Sequence, residues 1–150
     1  MRMFRSIMMG IALLGILGFS GMSTAHAKDT VKLKVAVVYA SKDAGKTDSR
    51  ISGRMAKSLR TAFGQFKSFK LVSKEGFKLK KGNRASIALP TKDEAIVAYV
   101  GKARKKHKVL LSIPKHKVKM HLSAPAKKLF YQAGIRHKKG ILILAFYLKE

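Results

Sequence analysis

Apolar and polar residues alternate along most of this chain, and the alternation gives way once to a helical period. Residues 31–40, V-K-L-K-V-A-V-V-Y-A, begin in strict alternation and end wholly apolar. This predicts a strand entering the core with Val31, Leu33, Val35, Val37 and Tyr39 on one face. The loop S-K-D-A-G-K-T-D-S follows. From Arg50 to about Phe63, the residues Ile51, Met55, Leu59 and Ala62 or Phe63 recur at three- and four-residue spacing. That spacing predicts one amphipathic helix, with Asp48 or Ser49 placed to cap it and Gly64 to end it.

After Gly64 the period returns to two. Phe69 and Leu71, then Phe77 and Leu79, alternate with lysine, and K-K-G-N turns into a short strand of Ala85, Ile87 and Leu89 that Pro90 ends. E-A-I-V-A-Y-V, H-K-V-L-L-S-I, K-V-K-M-H-L, L-F-Y-Q-A-G-I and G-I-L-I-L-A-F-Y-L complete the series. Short strands at regular intervals with turn signals between them predict a β-rich α+β fold. The expected form is an antiparallel meander, sandwich or small barrel with one helix after the first strand. The first and last strands are the most apolar, so they are expected side by side in mid-sheet. Phe63, Phe66, Phe69 and Phe77 take core positions rather than forming a stacking platform.

Residues 1–27 stand apart from this pattern. Arg2 and Arg5 precede the apolar run I-M-M-G-I-A-L-L-G-I-L-G-F, and Ala25-His26-Ala27 closes it. A charged start, a short apolar centre and a small-residue exit mark a secretory signal peptide cut after Ala27. The run is shorter than the roughly 20 residues that cross a bilayer. Residues 28–150 then read as one basic domain, periplasmic or secreted, with no membrane span. Without a single cysteine, packing alone must hold it.

Charge changes the picture most. Lys and Arg number 33 against 7 Asp and Glu, a formal +26 at pH 7, and loss of Arg2 and Arg5 with the leader lowers it only slightly. Lysine supplies most of it, and a flexible point charge suits sequence-independent attraction rather than shaped readout. Solubility alone asks for a charge of only about 2–8 on a small domain. Anion-binding residues are expected in the dense stretch K-A-R-K-K-H-K at a hairpin tip, comprising Lys102, Arg104, Lys105, Lys106 and Lys108. Lys115, Lys117 and Lys119 follow on one strand face, and Arg136, Lys138 and Lys139 at a second tip. Lys32 with Lys34, and Lys78 with Lys80, also line solvent faces, because alternate residues of a strand share a side.

Motifs for catalysis are weak. A-S-K-D-A-G-K-T, residues 40–47, fits a relaxed phosphate-binding loop, with Lys46 for terminal phosphates and Thr47 for magnesium. Asp43 puts a negative charge into that cradle, and no later apolar strand ends in a magnesium-binding acid, so it reads as an incidental basic loop. His107, His116, His121 and His137 have no acid near them in sequence and lack ligand spacing, so they read as surface histidines and not as a metal site. No cofactor is expected. Asp93 and Glu94 are adjacent, so on a strand they would face opposite ways rather than share a cleft.

The loop A-S-K-D-A-G-K-T-D, the segment F-G-Q-F-K-S-F-K-L-V and the strand G-I-L-I-L-A together resemble a set of exported bacterial proteins without an assigned activity. In these an A-S-x-x-G…D loop precedes a helix that ends in F…S-F-K-L, and a G-x-L-I-L-A strand closes the chain. The resemblance covers roughly residues 35–146 and implies a shared fold, with no catalytic residues to carry over.

The expected function is a non-enzymatic exported module binding anionic polymer. Envelope polysaccharide, lipopolysaccharide, sequence-independent nucleic acid and an acidic envelope protein are the partners considered. One alternative is a structural subunit of a cell-envelope assembly. Another is a small hydrolase of acidic polymer, with a cleft holding two or more of Asp43, Asp48, Asp93 and Glu94.

Overall fold

The computed structural model describes residues 30–150, so the expected leader lies outside the described residues. In chain order the elements are β1 (Thr30–Ser41), α1 (Gly53–Ala62), β2 (Ser68–Lys80), β3 (Arg84–Ala88), β4 (Glu94–Ala103) and β5 (Lys106–Ile113). A 3-10 turn (Pro114–His116), β6 (Val118–Pro125), β7 (Leu129–His137) and β8 (Gly140–Lys149) complete the fold. Two four-stranded antiparallel sheets form, in the orders β2-β1-β8-β7 and β3-β4-β5-β6. The arrangement is a sandwich with a helix on one outer face, not a closed barrel.

The alternation predicts this core well. Val31, Leu33, Val35 and Val37 of β1 pack with Leu142, Leu144, Phe146 and Leu148 of β8 against Ile87, Val97, Tyr99, Val109, Leu111 and Ile113 of the second sheet. β1 and β8 pair over ten positions, from Lys32↔Lys149 to Ser41↔Gly140, in the middle of the first sheet. The wholly apolar end of β1 has a second use. Val38 and Ala40 point away from the sandwich and, with Phe69 and Ile143, bury Ala56, Leu59, Ile51 and Phe66. Both faces of that end are therefore covered, which is why alternation stops there. Phe66 and Phe69 are buried, and Phe63 and Phe77 pack at the margins of the two clusters.

The helix starts later than its period suggests. Ser52, not Asp48 or Ser49, caps it, with Oγ accepting from Met55 N at 3.3 Å. Asp48 is engaged elsewhere: its carboxylate accepts from Arg50 N (3.0 Å), from Leu71 N of β2 (3.1 Å) and from the Arg50 guanidinium (2.7 Å). It stitches the β1–α1 loop to the edge of β2. These hydrogen bonds, with Arg50 foremost, hold the Asp48 carboxyl far below its ordinary range. At the other end of α1 the chain leaves the helix at Phe63, one residue before Gly64.

The register sets two ends. At one, Thr30, Lys80 and Lys149 lie close, and at the other Ser41, Ser68 and Gly140. The β2–β3 and β6–β7 connections both pass between the sheets at the Thr30 end, so the two sheets share these ends.

Candidate anion-binding surfaces

The Lys102–Lys108 hairpin turns on Arg104 and Lys105, with Ala103 opposite Lys106. It stands at the Thr30 end. Lys81 of the β2–β3 turn reaches over Gly101, where an added Cβ would lie 3.4 Å from Lys81 Cε. Gly82 N donates to Tyr99 O at 2.7 Å, and Lys127 N of the β6–β7 turn donates to Leu148 O at 2.7 Å. Three basic turns therefore meet here, adding Lys81, Lys127 and Lys128 to the residues that sequence reasoning picked out. Among the described residues, Glu150 is the acid in this group, and it pairs with Lys102.

Arg136, Lys138 and Lys139 lie at the opposite end, in and beside the β7–β8 turn, so the two densest tips do not form one rim. Lys115 and Lys117 share that second end through the turn between β5 and β6. Lys108 and Lys119, though near opposite ends, project from strands rather than turns. They stand on the outer face of the second sheet, opposite Ser123 and Ser112 respectively.

The turn residues carry a conformational signature. The non-glycine residues with positive φ are Lys92 (63°), Arg104 (57°), Lys117 (53°), Lys127 (62°) and Lys138 (50°). Left-handed backbone costs an L-residue roughly 1–2 kcal/mol, which glycine avoids and asparagine tolerates. Among the described residues, each such position holds a cation instead.

A further basic surface is built by pairing. α1 covers only the Ser41 half of the first sheet's outer face. On the open half, Lys78 of β2, Lys32 of β1 and Lys149 of β8 stand directly opposite one another in a single row. In the next rows Lys34 pairs with Tyr147 and Ala36 with Lys74. Like charges facing each other across a ladder destabilise a sheet. Sequence alternation marks Lys32, Lys34, Lys78 and Lys80 as solvent-facing. Only the register aligns Lys78, Lys32 and Lys149 in one row, and Lys74 and Lys149 carried no signal of their own.

Of the histidines in the described residues, His107 departs from the surface placement expected of it, whereas His116 is exposed as expected. The His107 side chain is fully buried, with Nδ1 2.9 Å from the Tyr99 hydroxyl. Its Nε2 lies 3.2 Å from Glu150 Oε1, off the line of a hydrogen bond. Burial, and secondarily the Lys102 charge, push its pKa down against the opposing pull of Glu150. His116 Nε2 lies 2.6 Å from Asp93 Oδ2, which also accepts from Thr91 Oγ1 at 3.0 Å, while Lys115 Nζ is 3.1 Å from Asp93 Oδ1. Burial alone would raise the Asp93 pKa, but the bonds from Lys115, His116 and Thr91 together outweigh it and hold the carboxyl below its ordinary value. His121 is exposed on β6, and the His137 ring meets Tyr39 edge-on at 5.5 Å.

Asp93 and Glu94 border one shallow depression, with Asp93 turned inward and Glu94 exposed. Among the described residues no group of three acids or histidines could hold a metal ion. In the 40–47 loop, Lys46 and Thr47 precede the helix start at Gly53 and do not stand at its N-terminus.

No family model, curated protein or solved structure matches this chain.

Proposed function

We propose that this protein is an exported, non-enzymatic module that binds anionic polymers through lysine-rich strand faces and turn tips. Envelope polysaccharide, lipopolysaccharide and nucleic acid are the polymers of that chemistry. The observation that carries the proposal is the Lys78–Lys32–Lys149 row, three like charges in register across β2, β1 and β8. Such a row is unfavourable in the free protein and becomes favourable once an anionic chain lies along it. The cations held in left-handed turns support the same reading, since charge is kept there at a conformational cost.

Binding of this kind releases condensed counterions, so affinity falls steeply as salt rises. Titration of the protein into heparin and into duplex DNA at low and at physiological ionic strength tests it. Expected is tight binding at low salt, with a logarithmic slope near −0.9 for each phosphate neutralised on DNA. Weak binding that ignores salt overturns it.

A further inference from the structure

The open half of the first sheet is not flat. Between it and the first turn of α1 lies a cavity of about 190 Å³. It exists because Ala36 and Ala145, neighbours across β1 and β8, are short where the flanking outward residues are Lys34, Tyr147, Val38 and Ile143. Both alanines are buried and form an apolar floor, with Met55 and Leu129 at its sides. Lys34 from β1, Lys74 from β2 and Arg54 from α1 stand at the rim, and all three are exposed. Among the described residues no carboxylate lines this cavity or pairs with those three cations.

Arg54 is the informative member. It sits in the first turn of α1, which contains no acidic residue. A cation there opposes the helix dipole, and the position ordinarily favours Asp or Glu. Arg54 is therefore poorly placed for the helix and well placed for an anion in the cavity.

Size and lining narrow the ligand. The volume is a little above the roughly 150 Å³ that accepts benzene and below the roughly 300–1,000 Å³ of pockets for larger ligands. It admits one six-membered ring with its substituents. Among the described residues, Tyr147 is the single aromatic one of the lining, whereas strands of nucleic acid are held by successive aromatics stacking on successive bases.

We propose that this cavity binds one anionic pyranose unit of a glycan, its ring on the Ala36–Ala145 floor against Tyr147 and its acid group among Lys34, Arg54 and Lys74. The inference rests on the polymer-binding reading above and assigns it a substrate class, an acidic polysaccharide. The units on the side away from α1 then run over the Lys32 row.

Calorimetric titration with trigalacturonate, glucose 6-phosphate, maltotriose and an oligothymidylate tests this on the wild-type chain, Arg54→Gln and Ala145→Leu, with a melting curve for each. Expected is binding of trigalacturonate but not of neutral maltotriose, weakened about tenfold or more by Arg54→Gln, a loss of roughly 1.4 kcal/mol. The melting temperature of that variant should not fall, because a helix-opposing charge is removed. Ala145→Leu, which fills the floor, should abolish trigalacturonate binding while retention on duplex DNA persists. Binding of glucose 6-phosphate that is lost in the same variants identifies phosphate as the acid group the rim accepts, and its failure to bind identifies carboxylate. Equal affinity for maltotriose, an unchanged affinity in Arg54→Gln, or oligothymidylate binding that Ala145→Leu reduces as strongly overturns the assignment. Failure of the wild-type chain to bind heparin at low salt overturns the broader reading instead.

Discussion

His107 leaves the surface beside Glu150, a carboxylate that the strand pairing, not the sequence, brings to it, while His116 stays exposed beside Asp93. His107 has a directional consequence. Burial depresses its pKa below the ordinary 6.5, so an unfolded chain takes up a proton in a range where the folded one does not. Its contribution to stability is complete above pH 6.5 and is lost progressively as pH falls toward the folded value. The depressed carboxyls act in a lower window. Glu150 is held below 4.5, first by its hydrogen bond from Lys102, and Asp93 lies below 3.8. Their contribution is full above those values and is lost as they protonate. A plot of melting temperature against pH should therefore be level above about 6.5 and fall in two stages. His107→Gln should erase the upper stage and leave the lower one. A single fall confined to the carboxylate range would contradict this account of His107.

At the level of strands and turns, the lysine ladder makes a prediction opposite to that of an ordinary surface. Replacing Lys32 by Thr, a good strand former, removes two like-charge oppositions at once, to Lys78 and to Lys149. The variant should be more stable by about 0.2–1 kcal/mol, measured by urea denaturation, and should leave heparin at lower salt. Loss of stability would show that the row does not strain the free sheet. Period-two alternation was enough to read most strands and the inward faces, because burial enforces it, and the apolar character of the first and last strands was enough to place them side by side. The start of the helix was not legible. Asp48 looks like a cap in sequence, and its bonds from Arg50 and from Leu71 N divert it. The glycine of G-I-L-I-L-A is likewise explained by packing. A Cβ on Gly140 would lie 1.9 Å from the Ala40 carbonyl oxygen, so only glycine lets β8 close on β1 here. The candidate surfaces were half legible. The lysine runs are plain, but whether two runs adjoin depends on which strands pair, and the cavity depends on two alanines meeting across a ladder.

Across the whole molecule, a formal +26 makes salt act in two opposite directions. Screening, with a Debye length of about 8 Å at physiological ionic strength, relieves self-repulsion of the folded state. The free protein should therefore melt at higher temperature as sodium chloride is added, while its hold on a polyanion weakens over the same range. At low salt the polyanion should raise the melting temperature instead, because it binds the native state. A free protein whose melting point ignores salt would show that repulsion does not limit its stability.

The outer strands of the first sheet bear on how these molecules behave toward one another. β2 is an edge strand, and Lys70, Lys74, Lys78 and Lys80 along it are exposed. Charged edges keep sheets from joining side to side. An acidic polymer lying over Lys74 and Lys78 would cancel part of that safeguard. Where the charges of protein and polymer balance, solutions should turn cloudy, then clear again when either component is in excess.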